Sequence, residues 1–377
     1  MRRRFLILPV LFLLFALFSL SVGAVGEEEE TSAPGGESVD ALLEEFRTLL
    51  PEGFSPDVTD PDAIGEAVGV RAFFAAVLSA ARGSSDDVLS FFFLLMGAAL
   101  FFAVAGTLRT GIAGSLGEIT EAAICAVLSV AVFEKLRTVT ETTAAGLSEA
   151  GRFFGGLFPF LGTVTLAGGG TSLAASQALT MELTLSVLTA LTDGVLLPLT
   201  GAMFALALLG TVDGAGGSLS GLTDSFRRAF LWLLGIVTAV FAASLSLQSV
   251  IAAATDSAAM RAAKFAASDL IPIVGGTVSG ALSAAASGLF YVKSVVGVSG
   301  IAALLFLVLP YLVPLLLLRA AFGIAIGFLS FTGAKVGERV FAAFRSALDT
   351  LIALTSLSLL LYLFEIVCFM KGGVAIG

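Results

Sequence analysis

The chain has no histidine, two cysteines, one tryptophan and only 13% charged residues across 377 positions. Each shortage removes a class of chemistry. Without histidine there is no Ser–His pair, no HExxH zinc site and no imidazole proton relay. Cys125 and Cys368 both lie inside apolar blocks, so they cannot staple an exported loop. No GxxxxGK[ST] sequence occurs: neither Gly333-Ala-Lys335 nor Gly275-Gly276 extends to one, and Gly168-Gly169-Gly170 reads as a turn. An aspartyl intramembrane protease needs two intramembrane aspartates, commonly with GxGD, and Gly210-Thr-Val-Asp213 does not match. The expectation is a protein that is not an enzyme and uses no cofactor or metal.

What the chain has is apolar length. Hydrophobic residues make up 57% of it, and the mean hydropathy is +1.02, whereas soluble domains carry about a quarter charged residues. Apolar blocks recur near residues 88–107, 119–133, 153–167, 174–192, 195–212, 229–253, 272–290, 295–318 and 349–370. Several are long enough for a hydrocarbon core of about 30 Å. The fold class is all-α, a polytopic helical membrane protein with about six to nine crossings. The blocks at 119–133, 153–167 and 272–290 are short or weakly hydrophobic and read as spans or re-entrant pieces. Arg227-Arg228, Arg261 with Lys264, and the cluster Lys335, Arg339 and Arg345 cannot all be placed inside by one threading. No inverted repeat of the transporter kind is visible.

Three regions follow. Residues 1–24, three arginines then an apolar run ending Val-Gly-Ala, read as a cleavable secretory signal, with an uncleaved first helix as the alternative. Residues 25–87 form an acidic exported region with 15 acidic and 3 basic residues. It contains an amphipathic helix from Ala41 to Leu50, with Leu42, Phe46, Leu49 and Leu50 on one side, and a second amphipathic stretch near 64–82. Residues 88–377 are the transmembrane domain. An acidic exported segment argues against nucleic acid as a partner.

The most distinctive stretch is PIVGGTVSGALSAAASGLF, residues 272–290. On a helix, Gly276, Gly280, Ala284 and Gly288 form one i+4 row, and Ser279, Ser283 and Ser287 the row beside it. A face with so little bulk serves close approach of another backbone or borders a narrow polar passage. Before it lies a charged segment, Asp256, Arg261, Lys264 and Asp269, ending at Pro272, and Lys293 follows. These six positions are expected at the membrane surface, delivering the small-faced helix into an assembly. Gly323/Gly327 and Gly333/Gly337 repeat the GxxxG spacing. Three carboxylates sit in or beside apolar blocks. Glu182 is the deepest and the best candidate to line a path; Asp193 suits a tight turn; Glu365 is placed near a helix end, reaching toward the surface.

The run Asp256…Arg261…Lys264-Phe265…Ile271-Pro272-Ile-Val-Gly275-Gly276…Ser279…Lys293…Val296-Gly297-Val-Ser-Gly300 resembles stage III sporulation protein AE of endospore-forming bacteria. A second similar stretch runs from Phe158-Pro159-Phe-Leu-Gly162-Thr163 through Gly168-Gly169-Gly170-Thr171-Ser172. The resemblance implies a subunit of a secretion-related channel joining mother cell and forespore, in the mother-cell membrane around the forespore. It also implies partners from the same complex, including a separate cytoplasmic ATPase and ring-forming proteins between the membranes, and assigns no catalytic residues. The small face is then expected to pack against another helix or a second copy of the chain. The alternative is an independent transporter of a small solute or ion, with Glu182 as its coupling carboxylate.

Overall fold

The computed structural model describes residues 46–48, 50, 70–111, 115–167, 171–191 and 275–371, with short stretches between 194 and 241. Among the described residues every regular element is helical. Six helices form the body: α1 (Val70–Gly83), α2 (Ser85–Gly111), α3 (Ser115–Ala167), α4 (Thr171–Thr189), α5 (Gly275–Thr332) and α6 (Lys335–Lys371). A shorter apolar helix covers Arg228–Ala239. Three segments are long and apolar enough to cross a membrane: Ser85–Thr107 in α2, Tyr291–Thr332 in α5 and Lys335–Val367 in α6. The chain is an all-α membrane protein. The expected crossing number also drew on blocks outside the described residues.

Two pairs of apolar blocks that are separate in the sequence are continuous in the structure. Blocks 119–133 and 153–167 are the two ends of α3, a single helix of 53 residues. The stretch between them is charged but contains no proline, and charge alone does not end a helix. Arg137 and Glu141 pair across one turn at 2.9 Å on its exposed face. Blocks 272–290 and 295–318 likewise belong to α5, which runs for 58 residues. At 1.5 Å per residue α5 is about 87 Å long, nearly three times a hydrocarbon core.

α5 and α6 form an antiparallel hairpin. α5 ends in a left-handed glycine, Gly333, at φ +74°. The Ala334 amide donates to the Leu329 carbonyl and the Gly333 amide to the Ser330 carbonyl, the paired bonds of a Schellman cap. Ala334 then starts α6, its carbonyl accepting from the Glu338 amide. Gly333 is therefore a turn residue and not half of a GxxxG pair. Gly337 is the packing glycine: a Cβ there would lie 2.7 Å from Cγ of Phe102 in α2. Gly323 and Gly327 face open space, with nothing within 4 Å.

The other helices pack on this hairpin. Phe102 of α2 meets Phe341 edge-on at 5.5 Å, and Phe91 meets Phe322 at 5.7 Å, so α2 runs parallel to the last part of α5. α1 is joined to α2 through Ser84 alone, whose hydroxyl donates to the Ala80 carbonyl and whose carbonyl accepts from the Val88 amide. α1 buries Phe73, Ala76, Val77 and Ala80 against the core. Its amphipathic pattern agrees with the stretch expected near 64–82, whose first residues lie outside those described. Of the helix expected over Ala41–Leu50, residues 46–48 are described as helical. There Phe46 is fully buried against the Phe160 ring of α3, 5.9 Å away.

Gly337 gives a direct test. Cβ and Cγ of Phe102 lie close to the α2 backbone and cannot swing aside, so Gly337→Ala is expected to destabilise by about 1–3 kcal/mol. Gly323→Ala, in open space, should be neutral or gain up to about 1 kcal/mol from helix propensity. Thermal unfolding of both variants in detergent checks the contrast.

Candidate functional site

Polar groups are few inside this apolar body, and among the described residues the buried charged ones, Lys293 and Glu365, lie on α5 and α6, with buried hydroxyls on α3, α4, α5 and α6. Arg319 and Asp349 form an ion pair across the hairpin. Their side chains are 19% and 15% exposed. Arg319 lies about four turns, or about 21 Å, from Gly333. A cation and an anion at that depth are each costly in hydrocarbon, by about 2.5–3.5 kcal/mol on insertion scales, and pairing offsets much of that. Arg345 lies one turn before Asp349 on the same helix. This pair was not anticipated from sequence, because Asp349 opens an apolar block and so resembles a boundary residue. The available signal was Arg319, a lone charge inside a run of leucine, alanine and phenylalanine.

Farther along α6, Thr350, Ser358, Tyr362 and Glu365 fall on one side at helical spacing and are all buried. Glu365 accepts a hydrogen bond from the Thr184 hydroxyl of α4 at 3.4 Å. The Tyr362 ring packs on Phe154 of α3, with centroids 4.5 Å apart. Ser346, Ser356 and Ser358 on α6, and Ser299 on α5, have buried hydroxyls with no hydrogen-bond partner among the described residues. Among the described residues no cluster of acidic and cysteine side chains is arranged to hold a metal ion.

Glu182 and Glu365 exchange the positions expected of them. Glu365 is buried, because α6 runs on to Lys371 and α4 covers it, so it does not reach the surface. Glu182 lies on the exposed side of α4, opposite the row Met181, Thr184 and Leu188 that faces the core. Lys293 is likewise not on a surface segment. It is buried in the α5–α6 contact with its ammonium 4.8 Å from the centre of the Phe369 ring, because α5 continues through it. Asp193, Asp256, Arg261, Lys264, Asp269 and Pro272 lie outside the described residues.

The small-faced stretch is helical from Gly275 onward and is the first part of α5. The side chains of Gly276, Ser279, Gly280, Ser283, Ala284, Ser287 and Gly288 lie outside those described. Just beyond, small residues do permit close packing. A Cβ on Gly297 would lie 2.4 Å from Met370, and one on Gly300 would lie 3.1 Å from Leu157. Gly146 of α3 receives the ring of Tyr311, whose hydroxyl donates to Glu149 at 3.2 Å. These three glycines, spread over two helices without a GxxxG spacing, carry the contacts that motif counting would miss.

This arrangement supplies register and pairing between helices. Arg319→Met or Asp349→Leu alone leaves one charge without its partner and is expected to cost about 3 kcal/mol or more. The double variant should recover most of that loss. A double-mutant cycle on melting temperature in detergent checks the coupling.

A family model described as stage III sporulation protein AE (spore_III_AE) matches residues 67–373, which spans all six helices up to the end of α6. Comparison with curated proteins and with solved structures gave no match.

Proposed function

Because the chain belongs to the stage III sporulation protein AE family, we propose that it is a non-enzymatic membrane subunit of a secretion-like channel linking mother cell and forespore during endospore formation. Membership gives a role in stage III of sporulation, and α2, α5 and α6 give a membrane protein. The match over the whole helical body is the observation that carries the reading. The chain contains no phosphate-binding loop, which suits a subunit whose energy comes from a separate ATPase.

The proposed location is the mother-cell membrane around the forespore. Lys335 and Arg339 are exposed beside the α5–α6 turn. Basic residues mark the cytoplasmic end of a span, so in this reading the turn faces the mother-cell cytoplasm. α2 runs parallel to α5, so its start and α1 lie at the opposite membrane face, toward the forespore. That agrees with an exported N-terminal region. α5 is longer than the bilayer is thick, and its first part extends the small-faced stretch toward the partners between the two membranes.

In this reading Gly276, Gly280, Ala284 and Gly288 pack against a neighbouring subunit or a second copy of the chain. Ser279, Ser283 and Ser287 then border the passage. The transporter alternative has no matching observation, since Glu182 lies on the exposed side of α4.

Gly280→Leu is expected to block sporulation while the protein still inserts and accumulates in the membrane, and Gly327→Leu, in open space, should sporulate normally. Spore counts with membrane fractionation check both. Normal sporulation with Gly280→Leu would sink the packing role. Gradient-driven uptake by purified protein in liposomes, lost in Glu182→Gln, would establish the transporter instead.

A further inference from the structure

A cavity of about 540 Å³ opens between α1, α2, α3 and α5, a size typical of small-molecule sites. Phe91, Leu309 and Leu318 form the buried apolar part of its lining, and Thr143 is the buried polar residue beside them. Asp87 and Lys135, the charged lining residues among those described, are both exposed. The buried part therefore carries no charge.

The wall looks more polar in sequence than it is in chemistry. Ser79, Ser84, Thr138, Thr142 and Thr143 all line the cavity. Each of their hydroxyls donates to a carbonyl three or four residues earlier in the chain. The Tyr311 phenol, also in the lining, donates to Glu149. A hydroxyl has one proton to give, so among the described lining residues none is left for a ligand. A peptide or a sugar brings oxygens that need donors, and burying them without any is costly. A run of methylenes brings none.

The cavity also borders a lipid-facing surface. Phe306 lines it and is itself exposed. Leu78 and Leu89, one residue from the lining positions Ser79 and Val88, are exposed as well. The α2 span begins at Ser85, so Val88 and Phe91 lie within about 9 Å of its start. At that level a phospholipid keeps its headgroup at the membrane boundary and its chains beside these apolar side chains. An empty gap there would leave its walls without contacts on one side, and a chain restores them.

We infer that this cavity is a lipid site that takes one acyl chain of a membrane phospholipid, recognised by its hydrocarbon and not by its headgroup. The chain lies against Phe91, Leu309 and Leu318 and fills the gap between α1 and the core. The site goes beyond the channel reading and depends only on the helices standing in a bilayer.

The test uses the full chain reconstituted in liposomes of phosphatidylethanolamine and phosphatidylglycerol, each offered in turn with a photoactivatable acyl chain. Cross-links are mapped by mass spectrometry. Clustering at 76–91 and 306–318, equal for the two lipids, is expected. A photoactivatable fatty acid, which has no phosphate headgroup, should label the same residues. Ala80→Phe, which fills the gap, is expected to lower labelling there to the level of the exposed α2 surface around Phe101. Thr142→Val should change labelling by less than about twofold, whereas losing a hydrogen bond to a ligand would cost about three- to tenfold. Cross-links spread evenly over the lipid-facing surface would overturn the site. So would a strong preference for one headgroup, clustering unchanged in Ala80→Phe, or the larger loss in Thr142→Val. If Ala80→Phe does not fold, the map of the unaltered chain and Thr142→Val decide.

Discussion

Two helices that meet in hydrocarbon gain nothing from excluding water, so α5 and α6 are held by contacts that lipid cannot imitate. Those contacts agree on one register. Arg319 with Asp349, Gly300 with Ile366 and Gly297 with Met370 each lie nearly equal distances before and after the turn at Gly333. The turn sets the pairing, the ion pair locks it part-way along, and missing side chains near the far end let the backbones close. A slip by one residue would break all three. The rest of the body depends on that surface: α2 sets Phe91 and Phe102 against it, and α3 sets Leu157 and Gly146 against α5.

Fold class was legible because it follows from composition. A chain this apolar and this poor in charge must satisfy its backbone internally, and runs of this length do so as helices. Helix continuity was harder to read. Hydropathy dips at residues 134–152 and at Lys293 look like breaks, but a helix ends where its hydrogen bonding ends, and neither dip contains a proline. Three prolines, Pro159, Pro310 and Pro314, sit inside α3 and α5 without ending them. A spacing rule placed Gly333 and Gly337 in one motif, although they serve a turn and a contact. The polar interior was least legible, because one sequence cannot show which charge meets which. Arg319 and Asp349 are 30 residues apart, and Thr184 and Glu365 are 181 apart.

The buried polar groups and the family assignment meet in one picture. Among the described residues the buried polar side chains pair between helices, as Thr184 does with Glu365, bond back to their own helix, as Thr140, Thr165 and Thr355 do, or carry unmatched hydroxyls on α3, α5 and α6. Such a body suits a component defined by what it fits against. The long helix α5 offers the small-residue stretch at one end and the charged turn at the other. The amphipathic segment around Phe46 folds back on α3, so even the region ahead of the helices is tied to the same core.

The link between Arg319 and Asp349 also bears on how the chain enters the bilayer during synthesis. α5 emerges first, and its arginine has no counter-charge until 30 more residues have been made. Released sideways into lipid at that moment, the helix would carry an unmatched guanidinium into hydrocarbon. The favourable entering unit is therefore the finished hairpin, in which guanidinium and carboxylate cross into hydrocarbon as a pair.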